Sequence, residues 1–412
     1  MTAAAPSTGV PVRPVTAEAL FASPNALAPH YRRFRVAERL LLTGHSHQAW
    51  PDRALEGQQR AWLDAAELVD DKWGRAFERA DRVRNGFARL LQDDEGLYAL
   101  GANTHELVIR FLSALPLDRR RRLVTTDGEF HTLRRQLARL SEAGFDVVSV
   151  PADPPEEIAP RLVAAVDDRT AAVLVSAVLF QNSRIVQGLG EVAAAARHCG
   201  AELLVDVYHA LGVVPFSLSE QDLDESFVVG GGYKYCQLGE GNCFLRLPPR
   251  REFRPVVTGW FSEFSALAES GPGGTVSYGQ GADVFAGSTY DPTSHYRASE
   301  VFDFFAEAGL TLELLRRVSQ HQVGLLARAV DELDLPAELL GRDRRAPLSE
   351  IGGFLALSSP RAGELCDGLR RAGVLTDHRR GVLRLGPAPY LADEQLLEAV
   401  ACLGAVAREL LA

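Results

Sequence analysis

Of the 44 lysines and arginines in this 412-residue sequence, only Lys72 and Lys234 are lysine. Where a cation suffices the chain uses arginine, so a retained lysine points to chemistry that a guanidinium cannot perform. A primary amine can shed its proton and form an imine with an aldehyde. Lys72 lies in the charged, helix-like stretch DDKWGRAFERADR and reads as a chance survivor. Lys234 lies in the glycine-rich GGGYKYCQLGEGN, directly after the apolar run FVVGGG. Asp206 closes an earlier apolar run, LLVD, and the distance between the two fits a strand end, a crossover and the next strand end. In open α/β sheets the carboxyl ends of strands converge on the ligand crevice, so both side chains can enter one site. A simple buried ion pair is the alternative when these two residues are taken alone.

The neighbouring residues extend the set. Thr104, in LGANTHELVIRFL, stands where a helical pattern begins, and its hydroxyl and the free amides of a first turn suit a phosphate. A plain N-cap explains it equally. Phe130, in TTDGEFHT, follows another strand end, where its ring can stack on a flat ligand or pack in the core. His209 lies three residues after Asp206 and can reach the same ligand or be a satisfied structural histidine.

The elements that must position these residues are legible as a doubly covered α/β sheet. Apolar runs at GLYAL, RLVTTD, DVVSVPA, AAVLVSAVLF, AELLVDVY and SFVVGGG alternate with amphipathic helical patterns such as GLGEVAAAARHCG, where Gly200 is the expected C-cap. We expect an N-terminal arm or small-domain segment over 1–42, a large domain over 43–300 and a smaller C-terminal α/β domain over 301–412. A long helix is expected from about Ala298, with short strands at GGFLAL and VLRLG and a last helix over DEQLLEAVACLGAVARELL. The loops between Pro248 and Pro292, rich in glycine and aromatic residues, suit a binding site. The first fifteen residues lack a signal peptide's features and read as a disordered arm. The net charge of −10 is spread without a basic stripe, which disfavours nucleic acid and anionic lipid, and no apolar run reaches membrane-span length. Five scattered cysteines without a paired CxxC spacing argue against a disulfide framework or a metal site. A cytoplasmic enzyme with reduced thiols is the expectation.

Together, LVSAVLFQNSRI, GAELLVDVYHALGVVPFSL and VVGGGYKY resemble, in order and spacing, the class V branch of fold-type-I pyridoxal 5′-phosphate (PLP) enzymes, and within it kynureninase. The resemblance covers most of the chain from about Leu40. It implies that Lys234 bears the cofactor as an imine and that Asp206 keeps the pyridine nitrogen protonated, so that the ring draws electrons from the substrate's α-carbon. By the same resemblance Tyr233, Asn103 and Thr104 face the phosphate, Phe130 stacks, His209 and Ser176 meet the ring's polar edge, and Trp260 lies near the phosphate. Thr289 falls where a second subunit contributes, which implies a homodimer. Arg384, in VLRLGPAPY, matches the arginine that grips an amino-acid substrate's carboxylate.

Several positions depart from that pattern. Leu133 replaces an aspartate of the family, Tyr208 replaces a small residue packed on the ring, and GHSHQ places His45 and His47 on the expected substrate side. Ser262 and Glu263 stand where a histidine often follows the Gly-Trp segment. The resemblance implies hydrolytic Cβ–Cγ cleavage of a kynurenine-type substrate as the first functional expectation. Transamination, β-elimination or an oxygen-dependent oxidation is the second, and a non-catalytic binding relative is the third.

Overall fold

The computed structural model describes residues 10–266 and 275–412. Part of the expected arm (residues 1–9) and the start of the loop beginning SGPGG lie outside the described residues. Residues 10–15 depart from a loose arm: Val12 and Val15 pack on the main core, and the Val15 N–H donates to the Ala308 carbonyl at 3.0 Å. Further on, Leu40–Leu41 (β1) pairs in parallel with Val374–Leu375 (β10), which ties the N-terminal segment to the C-terminal unit.

The central sheet has seven strands: Leu97–Gly101 (β2), Arg122–Thr126 (β3), Asp146–Val150 (β4), Thr170–Ser176 (β5), Glu202–Asp206 (β6), Phe227–Gly231 (β7) and Cys243–Leu247 (β8). Their spatial order is β2-β8-β7-β6-β5-β3-β4, with only β8 running against its neighbours. The apolar runs are continuous because both faces are covered. Val173, Val175, Leu203 and Val205 enter one core, while the intervening Ala172, Leu174 and Leu204 enter the other. Helices such as Leu189–His198 supply the crossovers, and Gly200 (φ +67°) reverses the chain just after that helix's C-cap, Cys199.

Three expectations change in detail. Strand β5 stops at Ser176; Ala177–Phe180 leave the sheet, with Val178 bridging to Ile185. Strand β8 is disguised in the sequence by Arg246, which is buried because Asp93 and the carbonyls of Asp224 and Ser226 satisfy its guanidinium. The long helix begins earlier, at Thr293, where the Asp291 carboxylate accepts the Thr293 N–H, and a turn at Gly309 splits it into Thr293–Glu307 and Leu312–Glu332.

The C-terminal unit is a three-stranded antiparallel sheet, Asp377–Arg379 (β11), Val382–Leu385 (β12) and Leu355–Ser358 (β9), backed by the helices Ala362–Arg371 and Asp393–Leu411. No described helix is long and apolar enough to cross a membrane.

Candidate active site

Parallel strands present their carboxyl ends on one side, and the candidate residues gather there. Ser176 ends β5, Asp206 ends β6 in direct register with it, and Lys234 follows β7 after Gly231 and Gly232. The glycines have a packing reason: a Cβ at Gly231 would stand 2.5 Å from both the Tyr208 phenol oxygen and the Cys243 sulfur. A cavity of about 300 Å³ opens between these strand ends, walled by Thr104, Phe130, Ser176, Asp206, Tyr208, His209, Tyr233 and Lys234 among others.

Inside it the Lys234 Nζ lies 2.6 Å from the His209 Nε2 and is 5.2 Å from the centre of the Phe130 ring. Burial pushes the Lys234 amine down to about 7, against the opposing pull of Asp206. Burial first, and then the Lys234 charge, hold His209 well below its ordinary range, so its ring is neutral and its Nδ1 has no protein partner. Asp206 accepts the Tyr208 N–H at 2.8 Å, yet burial still raises its carboxyl above the usual value. These features fit PLP: a free amine for the aldehyde, an acid for the pyridine nitrogen, an orphaned imidazole nitrogen and a helix start for the phosphate.

The other expected residues divide. At the helix Thr104–Ala114 the cap is Asn103, whose carboxamide accepts the Glu106 N–H and donates to the Glu106 carboxylate, both at 3.0 Å. Asn103 caps the helix start and also lines the cavity, together with Thr104 at the first helical position. Tyr208 points its phenol at Cys243 (3.7 Å) and keeps its ring beside Lys234, 4.7 Å from Nζ to ring centre. His47 stays outside, stacked on Tyr233 at 4.8 Å. Trp260 and Thr289 meet each other, the indole N–H donating to the Thr289 hydroxyl at 3.2 Å, but neither lines the lysine cavity. Thr289 instead lines an adjoining cavity of about 890 Å³ that shares Ala102, Glu240 and Gly241 with the first.

Two expectations on the substrate side are displaced by a buried ion pair. Arg384 is absent from the cavity wall: its Nε and Nη2 close on Asp377 and its Nη1 donates to the Phe180 carbonyl at 2.7 Å. His45, fully buried, sits behind Asp377 with Nε2 to Oδ1 at 2.8 Å, and burial holds it down to about 4. Leu133 is 4% exposed and packs in the core with Leu137, so the position of the family aspartate adds nothing polar here.

Glu129 and Asp377 are the residues the sequence reading missed. Glu129 directly precedes Phe130, and Asp377 lies opposite Arg384 across a tight hairpin whose turn residues, Arg380 and Gly381, both have positive φ (44° and 78°). The turn was the available signal for Asp377.

No family model matches the chain. It is 25% identical to kynureninase of Pseudomonas fluorescens over 407 residues, covering 93% of this chain and 92% of that protein. It is also 25% identical to the uncharacterized aminotransferase YcbU of Bacillus subtilis over 345 residues, covering 82% and 87%. Among solved structures, a C-DES mutant with glycine covalently linked to its PLP cofactor superposes with a TM-score of 0.75 at 15% identity, covering 91% of this chain and 98% of that one. The chain has the PLP-dependent fold type I and is similar over most of its length to kynureninase. In the kynureninase-like frame the strand-end lysine, aspartate and histidine of this chain fall together in space, whereas the substrate-side residues are rearranged. Burial pushes the Cys236 and Cys243 thiols up to about 12, which disfavours the thiolate at both positions.

Proposed function

We propose that this chain holds PLP on Lys234 and uses it on an amino-acid substrate, with hydrolytic Cβ–Cγ cleavage of a kynurenine-type substrate as the reaction. The observation that carries the reading is the enclosed Lys234 amine, 2.6 Å from a neutral His209, in a cavity bordered by Asp206. Bound there, PLP supplies an electron sink for negative charge at the substrate's α-carbon.

The chain's own residues do the rest. Near pH 7 a large fraction of Lys234 is free amine, able to bond an aldehyde and later to accept a proton at Nζ as a general base. His209 Nε2 holds the amine's direction from one side. Asp206 would hold the pyridine nitrogen, Thr104 and the first-turn amides the phosphate, and Phe130 one ring face. Arg384 makes three of the five N–H bonds its guanidinium can donate, so a substrate carboxylate would have to use the remaining two. Incubation of PLP-loaded protein with kynurenine or 3-hydroxykynurenine should release alanine and the matching anthranilate. Loaded protein that releases neither contradicts the substrate assignment.

Two observations favour a second outcome on the same cofactor. Leu133 is buried in the core, and Arg384 is closed on Asp377, so two substrate-side features of the kynureninase pattern are altered. Transamination, β-elimination or oxidation fits these changes, and pyridoxamine formation or oxygen uptake would identify the first and the last. A second copy of this chain is the proposed partner, since Trp62 (78% exposed), Val256 (83%) and Trp260 (44%) are large apolar side chains left in solvent. Light scattering should return twice the 44.8 kDa chain mass. A cytoplasmic location is part of the same proposal.

A further inference from the structure

Behind the cavity lies an acid that the proposed chemistry does not use. Glu129 is 1% exposed, in the turn between β3 and the helix His131–Glu142. Its carboxylate is fully engaged: Oε1 accepts the Thr126 hydroxyl at 2.7 Å and the Ser176 N–H at 3.2 Å, and Oε2 accepts the Ser176 hydroxyl at 2.6 Å. Ser176 also lines the cavity, and its register partner is Asp206. One serine hydroxyl thus stands between a buried acid and the ligand space.

A hydroxyl has one proton to give. With Glu129 ionised, that proton points at Oε2, and Ser176 turns only lone pairs toward the cavity. With Glu129 protonated, the acid proton can be donated to the Ser176 oxygen, and the serine proton is released toward the cavity. We propose that Glu129 is a proton-holding positioning residue that sets, through Ser176, whether the wall beside Asp206 offers the bound cofactor a hydrogen-bond acceptor or a donor. The proton moves between Glu129 and solvent, no covalent bond to carbon changes, and the cofactor end of the inference rests on the PLP reading above.

Both states are accessible near neutrality. Burial is the main force raising Glu129, up to about 7, with the Asp206 charge adding to it and the Ser176 and Thr126 hydrogen bonds opposing it. Among the described residues the charged group acting on Glu129 is Asp206, at the end of β6 beyond β5; Thr126 from β3 and Ser176 from β5 bring neutral donors.

Two titrations test it. In the cofactor-free protein, the infrared carbonyl band of a protonated carboxyl should titrate near neutrality and be missing in Glu129→Gln. In Ser176→Ala its midpoint should rise by about one pH unit, because a donor to the carboxylate is gone. In PLP-loaded protein, the pH midpoint of the visible absorbance should shift in both variants, in the same direction, read per bound cofactor. A visible titration identical to wild type in both variants overturns the inference. So does a shift in Glu129→Gln alone, which would mean that Glu129 acts on Asp206 directly. Should Glu129→Gln fail to fold, Ser176→Ala decides by both readouts. Failure to take up PLP at all contradicts the cofactor reading instead, and the infrared titration then decides where the proton sits.

Discussion

Asp377 faces Arg384 directly across the β11–β12 pair, with Nε to Oδ1 at 2.8 Å and Nη2 to Oδ2 at 2.5 Å, and His45 closes the far side of the carboxylate. A planar fork on a carboxylate is a strong, orienting contact. It fixes where the guanidinium points and leaves two N–H bonds for a ligand.

Asp377→Asn should therefore cost about 3 kcal/mol of stability at pH 7, because it leaves the buried Arg384 without its counter-charge. Against the desolvation that raises it, the His45 and Arg384 hydrogen bonds hold the Asp377 carboxyl far below its ordinary 3.8. A depressed carboxyl stabilises the fold above its unfolded pKa and loses that contribution as pH falls through the folded one. Denaturant melts between pH 5 and pH 2 (about the range where carboxylates titrate) should fall more steeply for wild type than for Asp377→Asn. Parallel curves would assign the pair no electrostatic role.

Lys234 gives a slope of the same sign, at higher pH, in the cofactor-free protein. Its amine is lowered from 10.5 to about 7 by burial, so between those values the unfolded chain binds the extra proton and stability rises with pH. Thermal melts of the cofactor-free protein should climb from pH 7 to pH 10 (about the span set by the linkage relation). Lys234→Met should flatten that climb and melt higher at pH 7. A wild-type curve without the climb would mean that the amine stays charged.

Restoring the family aspartate should not restore the family site. Leu133 packs between the helix His131–Glu142 and the sheet, 4% exposed, among apolar side chains. Leu133→Asp is expected to destabilise by about 3 kcal/mol or more, measured by urea unfolding. A stable Leu133→Asp protein with enhanced kynurenine cleavage would show that this position reaches the substrate after all.

Tyr208 separates ring from phenol. Tyr208→Phe removes the 3.7 Å contact to Cys243 and keeps the ring, so its cost should stay below about 1 kcal/mol. Tyr208→Ala empties a 7% exposed ring position beside Lys234 and should cost about 3 kcal/mol. Equal losses would place the weight on the phenol.

How much of this was legible follows from what kind of contact decides each residue. Strands β5, β6 and β7 were readable because they are apolar on consecutive positions, and Lys234 and Asp206 because strand ends of a parallel sheet must converge. Strand β8 was hidden by Arg246, whose partner Asp93 is distant in sequence. Glu129 was hidden for the same reason: its meaning comes from Ser176, on another strand. Arg384 illustrates the limit most clearly, since a motif can mark an arginine but only the fold shows that Asp377 already occupies its fork.

Borohydride reduction of PLP-loaded protein, followed by peptide mass mapping, tests the central claim most directly. The account expects one pyridoxyl group per chain, on the peptide containing Lys234. A mark on the Lys72 peptide, or none at all, would contradict it.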